Sequence, residues 1–174
     1  MPYFLTILGV LGRLIPHPWN FTPIGALGLF AGANCSPKTA WLVPLVALVI
    51  GDVIIGMYSP LVGSYAPVMV LCVYAGFMAG PLIGRLLLAR KRTVLRVGSA
   101  VVVTTTIFFL VSNFGVWLTY HPRTWAGFVE CYVLAIPYYG GTLLGDAIYA
   151  TILFGGQEIV STLMRRGESR RPSF

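Results

Sequence analysis

The run Val97–Tyr120 holds 24 consecutive residues without one Asp, Glu, Lys or Arg. No soluble fold leaves such a stretch uncovered. At 1.5 Å per residue it matches the roughly 30 Å hydrocarbon core of a bilayer, which requires about 20 apolar residues in a helix. The rest of the chain agrees. Of its 174 residues 57% are hydrophobic and only 10% charged, and its mean hydropathy is +0.82. A soluble domain carries roughly 25% charged residues, so the composition excludes one here and specifies an all-α integral membrane protein. The net charge of +7 is not a nucleic-acid signature. Its basic residues cluster at Arg85–Arg96 and Arg165–Arg171, where they mark cytoplasmic flanks against anionic lipid. The N-terminus lacks a basic lead and a small-residue cleavage site, and it reads as a retained helix.

Taken in order, Tyr3–Ile15 is a short apolar segment closed by Pro16-His17-Pro18, with Trp19 through Pro23 as an interfacial turn. Ile24–Ala33 is a second short stretch. Thr39–Tyr58 is a span containing Asp52 and a kinking Pro44. The uncharged turn Ser59–Gly63 and the span Tyr65–Ala89 follow, and then Val97–Tyr120. His121-Pro122-Arg123 breaks the chain. Ala126–Ile136 is too short to cross independently. It is re-entrant, interfacial, or an outer extension of the last span, Tyr138–Leu163. The positive-inside rule places both basic clusters in the cytoplasm. The expected architecture is therefore one bundle of about six transmembrane or partly re-entrant helices over 1–164, with cytoplasmic termini and a basic tail at 165–174. Arg13 falls on the outer side, against the rule.

The chain has two aspartates, Asp52 and Asp146, each preceded by glycine and each within an apolar segment. Acids inside hydrocarbon face a bundle interior, a cavity or a partner. Asn20-Phe21 precedes Asp52 by 32 positions, and Asn113-Phe114 precedes Asp146 by 33. This suggests two half-repeats, 14–58 and 107–154, of the kind that places transporter sites near mid-membrane. Counted from the expected helix ends, both aspartates lie roughly 10 Å below the outer surface. Asn113, Cys72 and His17 share that outer half. Asp52, Asp146, Asn20 and Asn113 are thus candidate contacts for a small ligand, with His17 beside them. Tyr65, Trp117 and Tyr139, with Tyr58, Tyr120 and Tyr138, are candidate walls. The competing reading makes the acids internal ties, bonded to neighbouring hydroxyls or paired with Arg13 or Arg123, and makes the aromatics an interfacial belt. Gly28/Gly32, Gly76/Gly80/Gly84 and Gly141/Gly145 recur every four residues, a spacing that lets helix backbones approach closely.

Cys35, Cys72 and Cys131 have no zinc or disulfide spacing, and no cofactor is expected. Cys72 with His17 is the weak metal candidate, a soft ligand beside an imidazole. The Gly-Asp pairs are similar to the GxGD site of intramembrane aspartyl proteases, in which paired carboxylates share a proton. Here residue 50 is Ile and residue 144 is Leu, so the first glycine of that motif is missing at both sites. No hydrolase, metalloprotease or P-loop motif occurs, and an enzyme is the third reading.

The runs Leu14–Leu27 (LIPHPWNFTPIGAL), Ser112–Leu118 (SNFGVWL) and Cys131–Asp146 resemble a bacterial inner-membrane family known only as a domain of unknown function, over nearly the whole chain. That family is in turn similar in architecture to the substrate-binding S components of energy-coupling-factor (ECF) vitamin transporters. The resemblance implies six helices with both ends inside and an outward pocket for a vitamin-sized ligand. It also implies an energising ATPase module as partner. A solitary S component importing a corrinoid is one version, with Cys72 and His17 near the cobalt. The Ala-x-x-x-Ala docking face of those proteins is absent, and helix one offers Gly9 and Gly12 instead. The leading expectation is a binding or uptake protein for a small solute. The alternative is a structural or assembly subunit of a larger membrane complex, contacting lipid and other subunits.

Overall fold

The structure is a computed structural model, and it describes residues 1–15, 20–59 and 65–168. His17, the prolines beside it, Trp19, and the turn at 60–64 fall outside them. Among the described residues there is helix and no strand: α1 (Pro2–Leu14), α2 (Ile24–Asn34), α3 (Pro37–Tyr58), α4 (Pro67–Phe77), α5 (Ala79–Ile83) continuing as a π-helical turn at Gly84–Leu88, α6 (Val94–Tyr120) and α7 (Trp125–Glu168). Four segments are long and apolar enough to cross a membrane: Pro37–Tyr58, Pro67–Leu88, Val94–Tyr120 and Trp125–Arg166. The protein is a membrane protein.

The bundle is built around α2. Every residue from Ile24 to Ala33 is buried, although a helix of 11 residues spans only about 16 Å. Local sequence sets its ends. Pro23 precedes it, while Cys35 is extended and Pro37 follows within two residues, so the helix cannot continue past Asn34. A helix this enclosed must offer flat sides, and glycine supplies them. A side chain at Gly28 would meet Pro81 and Gly80, and one at Gly32 would meet the Pro81 carbonyl. From the other side, Gly84 lies against the Leu29 carbonyl. Gly76 fits against Phe108, and Gly145 against Phe21. Gly9 and Gly12 of α1 are also used internally, against Ala47 with Leu27 and against Pro23, so they do not form an outward docking face.

Two stretches depart from expectation. The span expected over Tyr65–Ala89 breaks after Phe77, because Pro81 has no N–H to give the Phe77 carbonyl and its ring crowds that oxygen. The chain re-forms as α5 and leaves through the π turn. The last helix begins at Trp125 rather than Tyr138. It runs 44 residues through Pro137, about 66 Å, so Ala126–Ile136 extends the last span, which among the three placements the sequence allowed is the one continuous with it.

Helix α1 runs parallel to α3, with Gly9 beside Ala47 and Arg13 beside Gly51. Met1 therefore lies at the same end of the bundle as Lys38. At that end Arg92 donates to the Ala33 carbonyl (3.0 Å) and to Gln157 Oε1 (2.8 Å), and Gln157 Nε2 donates to Asn34 Oδ1 (2.7 Å). This end carries most of the described cationic residues, Lys38, Arg92 and Arg96 among them, and α7 continues past it to Glu168.

Candidate functional site

The two aspartates occupy different environments. Asp146 on α7 is 1% exposed. Its Oδ1 accepts the backbone N–H of Ala26 (3.0 Å), and its Oδ2 accepts the Thr105 hydroxyl (2.8 Å). Gly25 leaves room for the carboxylate, since any side chain there would collide with it. The first N–H groups of a helix have no partner within it and carry partial positive charge. The residue before α2 is Pro23, and α2 has no side-chain cap of its own. Asp146 supplies the missing acceptor and negative charge from another helix. Arg92 does the converse at the far end by bonding the Ala33 carbonyl. The buried helix α2 is thus matched in charge at both ends.

Asp52 on α3 is half-buried and pairs with Arg13 of α1 through Oδ1. Its Oδ2 accepts the Tyr74 hydroxyl of α4 at 2.7 Å. Gly51 opens the space along the Arg13 side chain. The arginine that the sequence expects on the outer side is therefore paired with an acid of the neighbouring helix α3. The carboxylates of Asp52 and Asp146 share no hydrogen-bond partner among the described residues. Their depths also differ. Asp52 is six residues from the end of α3, about 9 Å, whereas Asp146 lies opposite Thr105, fifteen residues and about 22 Å along α6 from Tyr120. The common level expected for them assumed a last helix starting at Tyr138, and the continuous α7 removes that assumption.

Two adjoining cavities lie beside this network. The larger, about 610 Å³, is lined by Arg13, Thr22, Asp52, Tyr65 and Tyr74 among apolar residues including Val49, Val53 and Phe77. The smaller, about 310 Å³, is lined by Ser112, Asn113, His121, Tyr138, Tyr139 and Thr142 among apolar neighbours. Asn20, Met69, Val73 and Phe108 line both. Asn20 is the one described non-glycine residue with positive φ, at 60°, a left-handed turn that asparagine tolerates better than most residues. Thr22 is 9% exposed and its hydroxyl has no hydrogen-bond partner among the described residues.

The structure therefore brings Asp52, Asn20, Asn113, Tyr65 and Tyr139 to the cavities. Asn113 donates to the Phe109 carbonyl (2.8 Å) and Tyr139 shares a hydrogen bond with Thr106 (3.1 Å). Asp146 lines neither cavity and instead holds α2. Trp117 lies outside both linings, its indole N–H on the Pro122 carbonyl (3.1 Å) and its ring against Phe114 and Phe128. Cys72 packs against Gly115, and Cys131 directs its thiol to the Asn113 carbonyl. No cluster of three metal-ligating side chains occurs among the described residues. Sequence reasoning missed Thr22 and Tyr74, whereas the pairing of Arg13 with an acid was among the alternatives it held open. Arg13 carried a signal, as a basic residue that the expected topology puts on the outer side.

Comparison with known proteins gives one match. A family model described as a family of unknown function (DUF6580) matches residues 1–168. No curated protein and no solved structure matches the chain, so neither comparison supports a likeness to ECF S components.

Proposed function

We propose that this chain, which belongs to the DUF6580 family of unknown function, is a small-solute binding and uptake protein of the inner membrane. Its binding site would be the pair of adjoining cavities beside Asp52. The observation that carries this reading is the combination of room and chemistry. A cavity of about 610 Å³ falls within the roughly 300–1,000 Å³ of small-molecule sites, which are mostly apolar with a few placed polar groups. Here the polar groups are the Arg13–Asp52–Tyr74 set and Asn20. The cationic end of the bundle faces the cytoplasm by the positive-inside rule, which turns the Asp52 end outward, as capture of an external solute requires. Asp146 and Arg92 belong to the scaffold in this reading, and an ECF-type energising module would be the partner.

One observation favours an assembly subunit instead. Ile159, Leu163 and Met164 are all more than 60% exposed on the stretch of α7 beyond Gln157, a surface another subunit could cover. A thermal-shift panel of vitamins and other small polar solutes on the detergent-purified chain separates the two. A ligand at about a hundredfold over its Kd adds roughly 2.7 kcal/mol. Uptake predicts a specific shift that Asp52→Asn weakens. No shift across the panel, from a protein stable only with co-purifying chains, establishes the subunit.

A further inference from the structure

Resting on the binding reading above, we infer that the two cavities take a single ligand with no net charge, polar at both ends and apolar between. The larger cavity contains one cation and one anion, Arg13 and Asp52, already paired, and both Asp52 oxygens are engaged. A carboxylate head would draw Arg13 away and strand Asp52, while an ammonium head would strand Arg13. An unpaired charge removed from water is strongly unfavourable. A zwitterionic or neutral dipolar head avoids both outcomes. The smaller cavity offers the neutral hydrogen-bonding groups of Ser112, Asn113, Tyr139 and Thr142. Between the two lie the shared side chains Met69, Val73 and Phe108, apolar, with Asn20 the one polar group among them. Placing a dipolar head beside Arg13 and Asp52, an apolar body along Val73 and Phe108, and a hydroxyl or amide near Asn113 satisfies all three zones.

A matched series of probes tests this. L-tyrosine is a zwitterion, 3-(4-hydroxyphenyl)propanamide is neutral, tyramine is a cation and 3-(4-hydroxyphenyl)propanoate is an anion. All four share the same ring and phenol. Thermal shift on the full-length protein in detergent at neutral pH should show stabilisation of a few degrees by the first two and none by the ions. The stabilisation should disappear in Val73→Trp and in Met69→Trp, which fill the boundary between the cavities. It should persist in Leu71→Ala, a change on an exposed face of the same helix. An equal or larger shift by tyramine or the propanoate overturns the charge argument. A shift that survives both tryptophan variants overturns the placement. No shift from any of the four overturns the two-ended ligand class, whereas the binding function itself stands or falls on the broader panel and Asp52→Asn.

Discussion

Replacing Asp146 tests whether α2 depends on a cap supplied from α7. In Asp146→Ala the Ala26 N–H, buried and bonded at 3.0 Å in the native protein, loses its acceptor. A buried donor left unpaired costs about 1–3 kcal/mol. Loss of the negative charge at the helix N-terminus removes about 0.3–2 kcal/mol more. The expected destabilisation is therefore about 1–5 kcal/mol, read as a lowered thermal midpoint at about 2–4 °C per kcal/mol. Asp146→Asn keeps an oxygen for Ala26 and should lose only the charge contribution. Gly25→Ala acts from the opposite side, because its methyl collides with the Asp146 carboxylate, and it should be as damaging as Asp146→Ala. The double variant is the decisive one. Once the carboxylate is gone the Gly25 methyl has space, so the two changes together should cost less than their sum by about 0.5–3 kcal/mol. Strict additivity, or an Asp146→Ala protein as stable as wild type, would refute the capping argument.

Gly32→Ala forces a methyl onto the Pro81 carbonyl and should cost about 1–3 kcal/mol by overpacking, whereas Gly98→Ala, with open space around it, should be neutral or slightly stabilising in thermal denaturation. Burial pushes the thiol of Cys35, in the link between α2 and α3, above its usual range. Its thiolate is therefore scarce at neutral pH, and maleimide labelling should be slower than for a free cysteine and should accelerate on raising the pH further than for the free thiol.

The helices were legible where one physical rule dominates. Long apolar runs gave α3 and α6 to within three residues at each end, because nothing competes with helix formation in hydrocarbon. Pro137 misled as a punctuation mark: a proline removes one backbone hydrogen bond, and long transmembrane helices absorb that loss. Pro81 did break its span, and the glycines around it gave no separate warning. Asp52 and Asp146 look alike in sequence, each Gly-Asp in an apolar run. Their partners distinguish them, and those partners are remote. Asp146 meets a backbone amide 120 positions away, a contact that leaves no side-chain signature to read. Asp52 was more accessible to inference, since Arg13 stood out as a misplaced cation and the pairing with Asp52 or Asp146 was among the alternatives. Asn20 and Asn113 reached one cavity from different backbone settings, a left-handed turn and the body of α6.

Separate roles for the two acids are the centre of this account, and one paired measurement addresses them directly. Asp52→Asn and Asp146→Asn are purified, and each is assayed for its unliganded thermal midpoint and for the shift produced by whichever solute stabilises wild type. Asp52→Asn should lose most of the ligand shift. Asp146→Asn should melt lower without ligand yet keep the full shift. A folded Asp146→Asn protein that no longer responds to the solute, beside an Asp52→Asn protein that does, would contradict the assignment.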